Sequence, residues 1–442
     1  MRYRKLPFLW FAAGLGSQLQ VIASLSITEA IALVVGPIVL FSNYASMRRD
    51  GVLTYFWISL MLVVGCAVAC VVNGPLPLLL IIRGLAMTGI MAMAVPFTYW
   101  MIKTDPENFK WMFIGGAISS VLCIFVFQRS VEVAINARGL SGSAAVDGIM
   151  SGPLFWIHRL TSFLNAPAAG WYMKVPLAYS ICAPLFMAGF ALLTSTSGRA
   201  AALGALGSAA LCFIGGKKRS TMEKINKRFT LYMIVAALSV VAINVGYRMA
   251  ATSGLMGEKS RLKYEQQTKQ GSGILKLLLS GRAESFAGLF ACFDKPIVGW
   301  GPWAMDTRGY WLEFLDKYGD PDDYKVYYES EMLHGAGMIP CHSHITECWL
   351  WYGIFGLIIW LYVLYVFMRF MKQDCAAVPQ WFFWLACSIP GTVWHIFFSP
   401  LGSRTGIQFL VVACLMARAV RKGTFKLPVS MEREIWEAEQ KR

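Results

Sequence analysis

The sequence predicts an all-α polytopic membrane protein with about twelve transmembrane helices and one long extracytoplasmic loop. Of its 442 residues, 57% are hydrophobic and 15% are charged, whereas soluble domains carry about 25% charged residues. Eleven apolar runs approach or reach the length that a helix needs to cross a bilayer. They are 7–24, 27–45, 52–73, 76–102, 111–128, 174–195, 199–216, 229–247, 344–368, 380–398 and 404–420.

The net charge of +15 is explained by the orientation of the helices in the membrane rather than by nucleic-acid binding. The basic residues are scattered over short connections between apolar runs, as the positive-inside rule predicts, and do not form one soluble basic face. Arg2, Arg4 and Lys5 precede the first run, which is typical of a signal anchor. Both termini are predicted to be cytoplasmic.

One further crossing is predicted inside 129–173. Residues 103–110 and the run KKRSTMEKINKR at 217–228 both look cytoplasmic, yet only three clear apolar runs separate them. The best candidate for the missing crossing is 152–173, which is poorly apolar and needs to pack against protein or line a cavity. Twelve helices are therefore expected, and eleven are the fallback.

The chain divides into six segments on this basis. They are N-terminal transmembrane helices (1–128), an outer segment with a short helix crossing (129–173), central transmembrane helices (174–247), the long loop (248–343), C-terminal transmembrane helices (344–420) and a cytoplasmic tail (421–442). Loops as long as 248–343 are uncommon unless functional. Cys292 and Cys341 lie in this loop and form either a disulfide, in an oxidising compartment, or two free thiols.

Two histidines stand where the long loop returns to the membrane, in the stretch CHSHITECWLWYGIFG. Histidine accepts a proton near neutral pH, so His342 or His344 could act as a base on a hydroxyl delivered from outside. The alternative is an interfacial histidine satisfied by backbone or lipid headgroups. Zinc would need a third ligand that the pattern does not supply, so neither a metal nor a cofactor is predicted.

Four arginines, at the outer side of predicted helices or in the long loop, indicate an anionic ligand. Arg199 and Arg404 begin helices, Arg282 lies in the long loop, and Arg83 lies inside a predicted span. A guanidinium binds phosphate oxygens in a fork, and a charge within a span marks a functional cavity by default. Snorkelling to the surface is the alternative for Arg83. A phosphate-bearing lipid is the simplest ligand that fits.

Three segments in order resemble the O-antigen ligase and polymerase superfamily of bacterial membrane glycosyltransferases. STSGRAAA is similar to the family's T-G-S-R-G helix start, with Ser197 and Gly198 transposed and Ala200 in place of glycine. SGRAESFAGLFACFDKPIVGWGPWAM is similar to its G-R…P-hydrophobic-G-x-G segment. The matching residues there are Gly281, Arg282, Pro296, Gly299 and Gly301.

The third segment is the histidine motif, which is followed by G-x-x-G at Gly353 and Gly356. The family's histidine stands eleven residues before the first of these glycines. That spacing selects His342, followed by Ser343 where the family usually has asparagine. Trp349, seven residues after His342, also fits a branch of the family.

The resemblance implies a fold similar to C-type glycosyltransferases, in the bacterial inner membrane, with the active site on the periplasmic side. The donor would be a glycan on undecaprenyl diphosphate. The acceptor would be lipid A core for a ligase, or another lipid-linked glycan for a polymerase of O-antigen, capsule or exopolysaccharide. Arg199 and Arg282 would bind the diphosphate, with Arg83 and Arg404 as further candidates, and His342 would activate the acceptor without a metal.

Two other classes of function compete with glycan transfer. A transporter or flippase of lipid-linked oligosaccharide predicts charges spread over many spans and interrupted helices in paired halves. A non-catalytic assembly partner would not need the histidine and the arginines together. The gathering of polar residues in one outer loop favours transfer.

Overall fold

The computed structural model describes most of the helical part of the chain. The described residues are 7–16, 20–22, 25–74, 76–126, 165–194, 199–231, 234, 249, 252–253, 283–318, 337–341, 343–399 and 404–440. Within them the structure is helical, apart from turns, connecting segments, one isolated β-bridge and an antiparallel hairpin of two short strands, β1 (Gln20–Ile22) and β2 (Leu25–Ser26). The all-α prediction is therefore confirmed for this part of the chain.

The named α-helices follow one another in chain order. They are α1 (Pro7–Gly16), α2 (Ile27–Asp50), α3 (Leu53–Val72), α4 (Leu78–Thr104), α5 (Lys110–Val126), α6 (Leu177–Thr194), α7 (Arg199–Gly215), α8 (Ala283–Asp294), α9 (Tyr310–Tyr318), α10 (His344–Tyr352), α11 (Ile354–Arg369), α12 (Phe382–Phe398), α13 (Arg404–Arg421) and α14 (Val429–Gln440). A π turn and two short 3₁₀ turns connect α11 to α12.

Five described helical segments are long and apolar enough to cross a membrane, which makes the chain an all-α membrane protein. They are Ile27–Asp50, Leu53–Val72, Leu78–Thr104, Ile354–Ala377 and Pro379–Phe398. The helices α5, α6, α7 and α13 match four more of the predicted runs. Most of the runs 152–173 and 229–247 lies outside the described residues.

The predicted first run, 7–24, is not one continuous helix. Helix α1 has ten residues, so it is about 15 Å long, half the thickness of a bilayer core. Gly14 and Gly16 weaken the helix, and the β-branched Val21 and Ile22 favour the strand that follows. The hydroxyl of Thr28, just after the hairpin, donates to the carbonyl of Ala13 at 2.6 Å.

Small residues allow α1 and α5 to pack closely. A Cβ on Gly14 would lie 2.0 Å from the Met112 carbonyl oxygen, and one on Gly115 would lie 2.3 Å from that of Phe11. Such backbone proximity is typical of helix pairs in membranes, where close van der Waals packing replaces the hydrophobic effect. Helix α4 lies in the middle of the N-terminal half and packs against α2, α3 and α13.

The two ends of the bundle differ in charge. One end, called the basic end below, carries Arg48, Lys103, Lys110, Lys217–Arg219, Arg369 and Arg421. Hydrogen bonds join the helix ends and connecting turns at this end. The Tyr99 hydroxyl donates to Asp50 at 2.7 Å, and Arg219 Nε donates to the Ala376 carbonyl at 3.3 Å. The opposite end, called the loop end, carries Asn73, the segment 295–305 and Gly353.

The tail helix α14 and residues 171–174 also lie at the basic end. Lys174 Nζ is 2.9 Å from Glu434 in α14, and the Tyr172 hydroxyl donates to the Gly216 carbonyl at 2.7 Å. The ammonium of Lys110, at the start of α5, lies over the Trp171 ring. Lys110 and Trp171 therefore lie at the same end of the bundle.

Candidate functional site

The histidine motif lies on a helical hairpin rather than on one continuous span. The prediction of a single helix over 344–368 is wrong, because α10 ends and α11 begins at Gly353. This glycine has φ 60° and ψ −145°, a conformation that is essentially limited to glycine. The ring of His344, the first residue of α10, is 5.0 Å from that of Trp360, well inside α11. Helix α10 therefore runs back along α11.

A close backbone approach at the turn of the hairpin explains the second glycine of G-x-x-G. A Cβ on Gly356 would lie 1.9 Å from the Cys348 carbonyl oxygen, so only glycine fits where α10 and α11 meet. The thiol of Cys348 and the indole of Trp360 lie beside each other further along the same interface. The hairpin is thus held by its turn and by the packing of its two arms.

The segment 296–303 binds the turn of this hairpin through its backbone. The N–H groups of Trp300 and Gly301 donate to the carbonyls of Leu350 and Trp351, at 2.7 and 3.1 Å. The Ile354 N–H donates back to Ile297 at 3.0 Å. Trp349 Nε1 adds a hydrogen bond to the Pro296 carbonyl at 2.9 Å.

One glycine of each motif, Gly299 and Gly353, is required by this contact. Gly299 has φ 77°, and a Cβ there would lie 2.5 Å from the Gly353 nitrogen. A Cβ on Gly353 would lie 2.0 Å from the Ile297 carbonyl oxygen. The P-x-x-G-x-G segment and the histidine motif, which are separate in sequence, form one structural unit in this fold.

Ser343 caps α10 and joins it to α12. Its hydroxyl oxygen accepts a hydrogen bond from the Thr346 N–H at 3.3 Å and donates to the Ile396 carbonyl at 2.9 Å. Serine and asparagine are both among the best N-cap residues. Ser343 therefore fills a capping position that an asparagine could also fill.

His344 is buried, and its ring lies against a histidine that the sequence analysis missed. The ring of His395, near the end of α12, is 6.2 Å from that of His344, with the two planes 17° apart. His395 is exposed, and its Nδ1 is 2.8 Å from the Ser399 hydroxyl. An ionisable residue inside the predicted run 380–398 was the signal that could have identified it.

Besides His344 and Arg83, four site residues are predicted from the sequence. His342 and Arg282 lie outside the described residues. Arg199 and Arg404 begin α7 and α13, as predicted, and for these two arginines the backbone alone is described.

The packing of α7 on α12 indicates where the start of α7 lies. A Cβ on Gly215 would meet the Phe382 ring at 2.6 Å, and one on Gly207 would meet Pro390 at 4.0 Å. The two helices are therefore antiparallel, and the start of α7 lies level with the end of α12. Arg199 thus begins its helix at the loop end, near the part of α12 that carries His395.

Arg83 lies at the other end of α10, away from His344. Its guanidinium carbon is 4.7 Å from the ring centroid of Trp303, and the Trp303 ring is 4.9 Å from that of Trp351. Trp351 is seven residues after His344, about 10 Å along a helix axis. The structure therefore does not bring Arg83 to His344.

A polar network around Trp300 stabilises the segment 295–305 and was not predicted from the sequence. Lys295 Nζ lies 4.0 Å from the Trp300 ring centroid and 2.5 Å from Asn73 Oδ1. Asn73 Nδ2 donates to the Gly299 carbonyl at 3.0 Å, which ties α3 to the segment. Asp294 accepts hydrogen bonds from Arg308 and from the Tyr310 hydroxyl, at 3.0 and 2.5 Å.

The two loop cysteines are free thiols that belong to the same unit. Cys292, in α8, lies 3.5 Å from the Thr346 carbonyl, and a Cβ on Gly288 would lie 3.2 Å from the Cys341 sulfur. Burial raises the pKa of both thiols, and the Glu347 carboxylate adds to the effect on the pKa of Cys341. Both groups are therefore protonated and weakly nucleophilic at neutral pH.

Neither metal ligands nor known relatives add to this description. In the described part of the chain, no group of three or more His, Cys, Asp or Glu residues is placed to hold a metal ion. The chain matches no protein-family model, no curated protein and no solved structure. The fold and its apolar helices define an all-α membrane protein whose loop end carries a buried histidine and a helical hairpin.

Proposed function

We propose that this protein is a periplasmic-face glycosyltransferase of the bacterial inner membrane, of the O-antigen ligase or polymerase type. The observation that supports the proposal best is the backbone contact between segment 296–303 and the turn at Gly353. It gives a physical reason for Gly299 and Gly353 and makes one unit of two segments that carry the resemblance. Unlike composition, this contact ties specific residues of both motifs together.

The proposed reaction transfers a glycan from undecaprenyl diphosphate to an acceptor hydroxyl. The acceptor oxygen bonds to the anomeric carbon while the bond from that carbon to the diphosphate oxygen breaks, with inversion. The proton passes to the imidazole of His342, and the electron pair leaves with the diphosphate. Arg199 and Arg282 stabilise the charge on the leaving diphosphate, which is electrostatic catalysis and needs no metal.

Two observations favour a site at the loop end. The chain enters α10 inside the bundle, where Ser343 and His344 are both buried. Low dielectric strengthens the contact between a guanidinium and a phosphate. The helix starts at Arg199 and Arg404 present backbone N–H groups, which also favour an anion.

The twelve-helix topology belongs to the same proposal. Trp171–Lys174 lie at the basic end with Lys110 and Glu434, which favours a return crossing between α5 and residue 171. With the basic end in the cytoplasm, the segment 295–305 and α10 face the periplasm.

A transporter of lipid-linked oligosaccharide is the second candidate. The interrupted helix pair α10 and α11 supports it, because transporters bind substrates at discontinuous helices. The concentration of the described polar network in one outer segment favours transfer.

The deciding experiment uses purified protein in detergent with EDTA, undecaprenyl-diphosphate oligosaccharide, and either lipid A core or a second lipid-linked glycan. Products are followed by gel shift and by released lipid diphosphate. We expect transfer by the wild type, and loss of transfer in His342→Ala, Arg199→Ala and Arg282→Ala. His344→Ala and His395→Ala serve as the matched histidine controls and are expected to retain transfer if they fold.

The acceptor that works separates ligase from polymerase. Full activity of His342→Ala would remove the proposed base. If no acceptor works, and liposomes containing the protein move the lipid-linked glycan between leaflets, the transporter replaces the glycosyltransferase.

A further inference from the structure

Arg83 is a permanent charge inside a candidate membrane span, and the described residues give it no anionic partner. It lies in the second turn of α4, on the exposed side of the helix. Its guanidinium carbon lies 4.7 Å from the centroid of the Trp303 ring. A charge at such a position is costly unless it is paired, and an aromatic face compensates for only part of that cost.

The backbone holds Trp303 in a conformation that bulky residues rarely adopt. Trp303 has φ 55°. Among the described residues, it is the one non-glycine residue with a positive φ. Pro302 packs closely on Gly84, beside Arg83, where an added Cβ would come within 2.7 Å of the proline ring. Strained residues persist where the surroundings fix them, and they cluster at ligand sites.

Two neighbours pack on the Trp303 ring. They are the guanidinium of Arg83, at 4.7 Å, and the ring of Trp351, at 4.9 Å, next to the turn of the hairpin. The ring therefore orients the guanidinium without using up its N–H groups, since an aromatic face accepts no conventional hydrogen bond. Within the described part of the chain these N–H groups have no hydrogen-bond acceptor, so they can bind a fork of phosphate oxygens.

This position is distinct from the histidine end of α10. Seven residues of helix, about 10 Å, separate Trp351 from His344, and Arg83 lies beside Trp303 at the Trp351 end. One diphosphate group is too short to contact both Arg83 and His344.

We propose that Arg83 and Trp303 form a binding site for the phosphate headgroup of a membrane lipid at the loop end. The depth of Arg83 within α4 and its exposure to the surface of the bundle favour a lipid-borne phosphate over a soluble one. The site does not depend on glycan transfer, so it stands or falls separately from the proposed function.

The test is equilibrium binding to the purified full-length protein in detergent, with farnesyl phosphate and inorganic phosphate as probes. The background is the Arg199→Ala/Arg282→Ala double variant, so that a diphosphate site at those arginines does not contribute. Arg83→Ala, Arg83→Lys and Trp303→Leu are compared in this background. Arg308→Ala is the matched control, because it removes the same charge at the same end of the molecule.

We expect Arg83→Ala to weaken farnesyl phosphate binding about tenfold or more, as for the loss of a charge-assisted hydrogen-bonded pair. Arg83→Lys and Trp303→Leu should each lose part of the affinity, because lysine lacks the planar fork and leucine lacks the aromatic face. Arg308→Ala should bind as the background does.

Unchanged binding in Arg83→Ala would overturn the site, and equal loss in Arg308→Ala would reduce it to a general charge effect. If inorganic phosphate binds as tightly as farnesyl phosphate, the lipid part of the proposal is wrong. Because none of these measurements uses transfer, an inactive wild-type enzyme does not affect them.

Discussion

At the scale of single residues, Ser343 connects the start of α10 to the neighbouring helix α12. It is buried and serves as both acceptor and donor, to Thr346 and to Ile396. Ser343→Ala should lower the free energy of unfolding by about 1–2 kcal/mol, because a cap and a buried hydrogen bond are lost together. The midpoint of thermal unfolding in detergent measures the change.

Ser343→Asn is the matched variant for that prediction. Asparagine keeps an oxygen for the Thr346 N–H and an N–H for the Ile396 carbonyl, so the midpoint should stay near that of the wild type. An alanine variant as stable as the wild type would show that the cap contributes nothing.

Tyr310 predicts how the outer segment responds to alkaline pH. Burial raises the pKa of its phenol, and the neighbouring Asp294 carboxylate raises that pKa further. The folded state therefore holds this proton more tightly than the unfolded state. Its contribution to stability is complete below the unfolded pKa of about 10 and is lost as the pH rises above that value.

Tyr310→Phe should accordingly be less stable than the wild type near neutral pH, by about 1 kcal/mol. The gap between the two proteins should narrow above about pH 10, because only the wild type has the phenol to lose. Unfolding midpoints of both proteins across this range test the sign. A gap that stays constant would show that the hydrogen bond to Asp294 does not control titration.

Sequence alone could indicate the residue types of the site but not their partners. Arg83 stood out as a charge in a span, and His395 carried the same signal. Trp303 had no such signal, because a positive φ at a tryptophan follows from the contacts of Pro302 and Trp351 rather than from local propensity.

At the scale of secondary-structure elements, hydropathy located the long helices but missed the break between α10 and α11. Residues 344–368 become steadily more apolar, so a window over them predicts one span. The break depends on the conformation of Gly353 and on the segment 296–303, which is distant in sequence. For α1, the weak helix propensity of two glycines had a greater effect than apolar composition.

Gly353→Ala tests the hairpin directly. A side chain there requires a conformation closed to alanine and places Cβ 2.0 Å from a carbonyl oxygen. We expect most of the folded protein to be lost, with a destabilisation of about 4 kcal/mol or more. The monodisperse fraction in fluorescence-detected size-exclusion chromatography measures it.

Gly89→Ala, in the middle of α4, is the matched control. A Cβ on Gly89 would have no neighbouring atom within 4 Å outside its own helix turn, so alanine should be tolerated or should slightly stabilise the helix. A folded and fully expressed Gly353→Ala protein would contradict the hairpin.

At the scale of the whole molecule, the position of Lys174 tests the number of crossings. It pairs with Glu434 of the tail helix at the basic end. We expect Lys174→Cys to react with a membrane-impermeant maleimide only after the inner membrane is opened. Lys317→Cys, exposed on α9, should react in cells whose outer membrane alone is permeable.

Labelling is read as the increase over the wild-type chain, which already has eleven cysteines. Reaction of Lys174→Cys from the periplasm would support eleven crossings instead of twelve. The same outcome would separate the tail helix from residues 171–174.

The contact between segment 296–303 and the hairpin turn also sets an order of assembly during synthesis. The segment leaves the ribosome before α10 and α11. When it emerges, the carbonyls of Leu350 and Trp351, which accept from the Trp300 and Gly301 N–H groups, have not yet been synthesised. Unpaired backbone groups are tolerated in water but not in lipid. The segment must therefore remain on the aqueous side until the hairpin inserts. The loop end is completed late in biogenesis, and a chain arrested before Tyr352 would expose an unfinished outer surface to quality-control proteases.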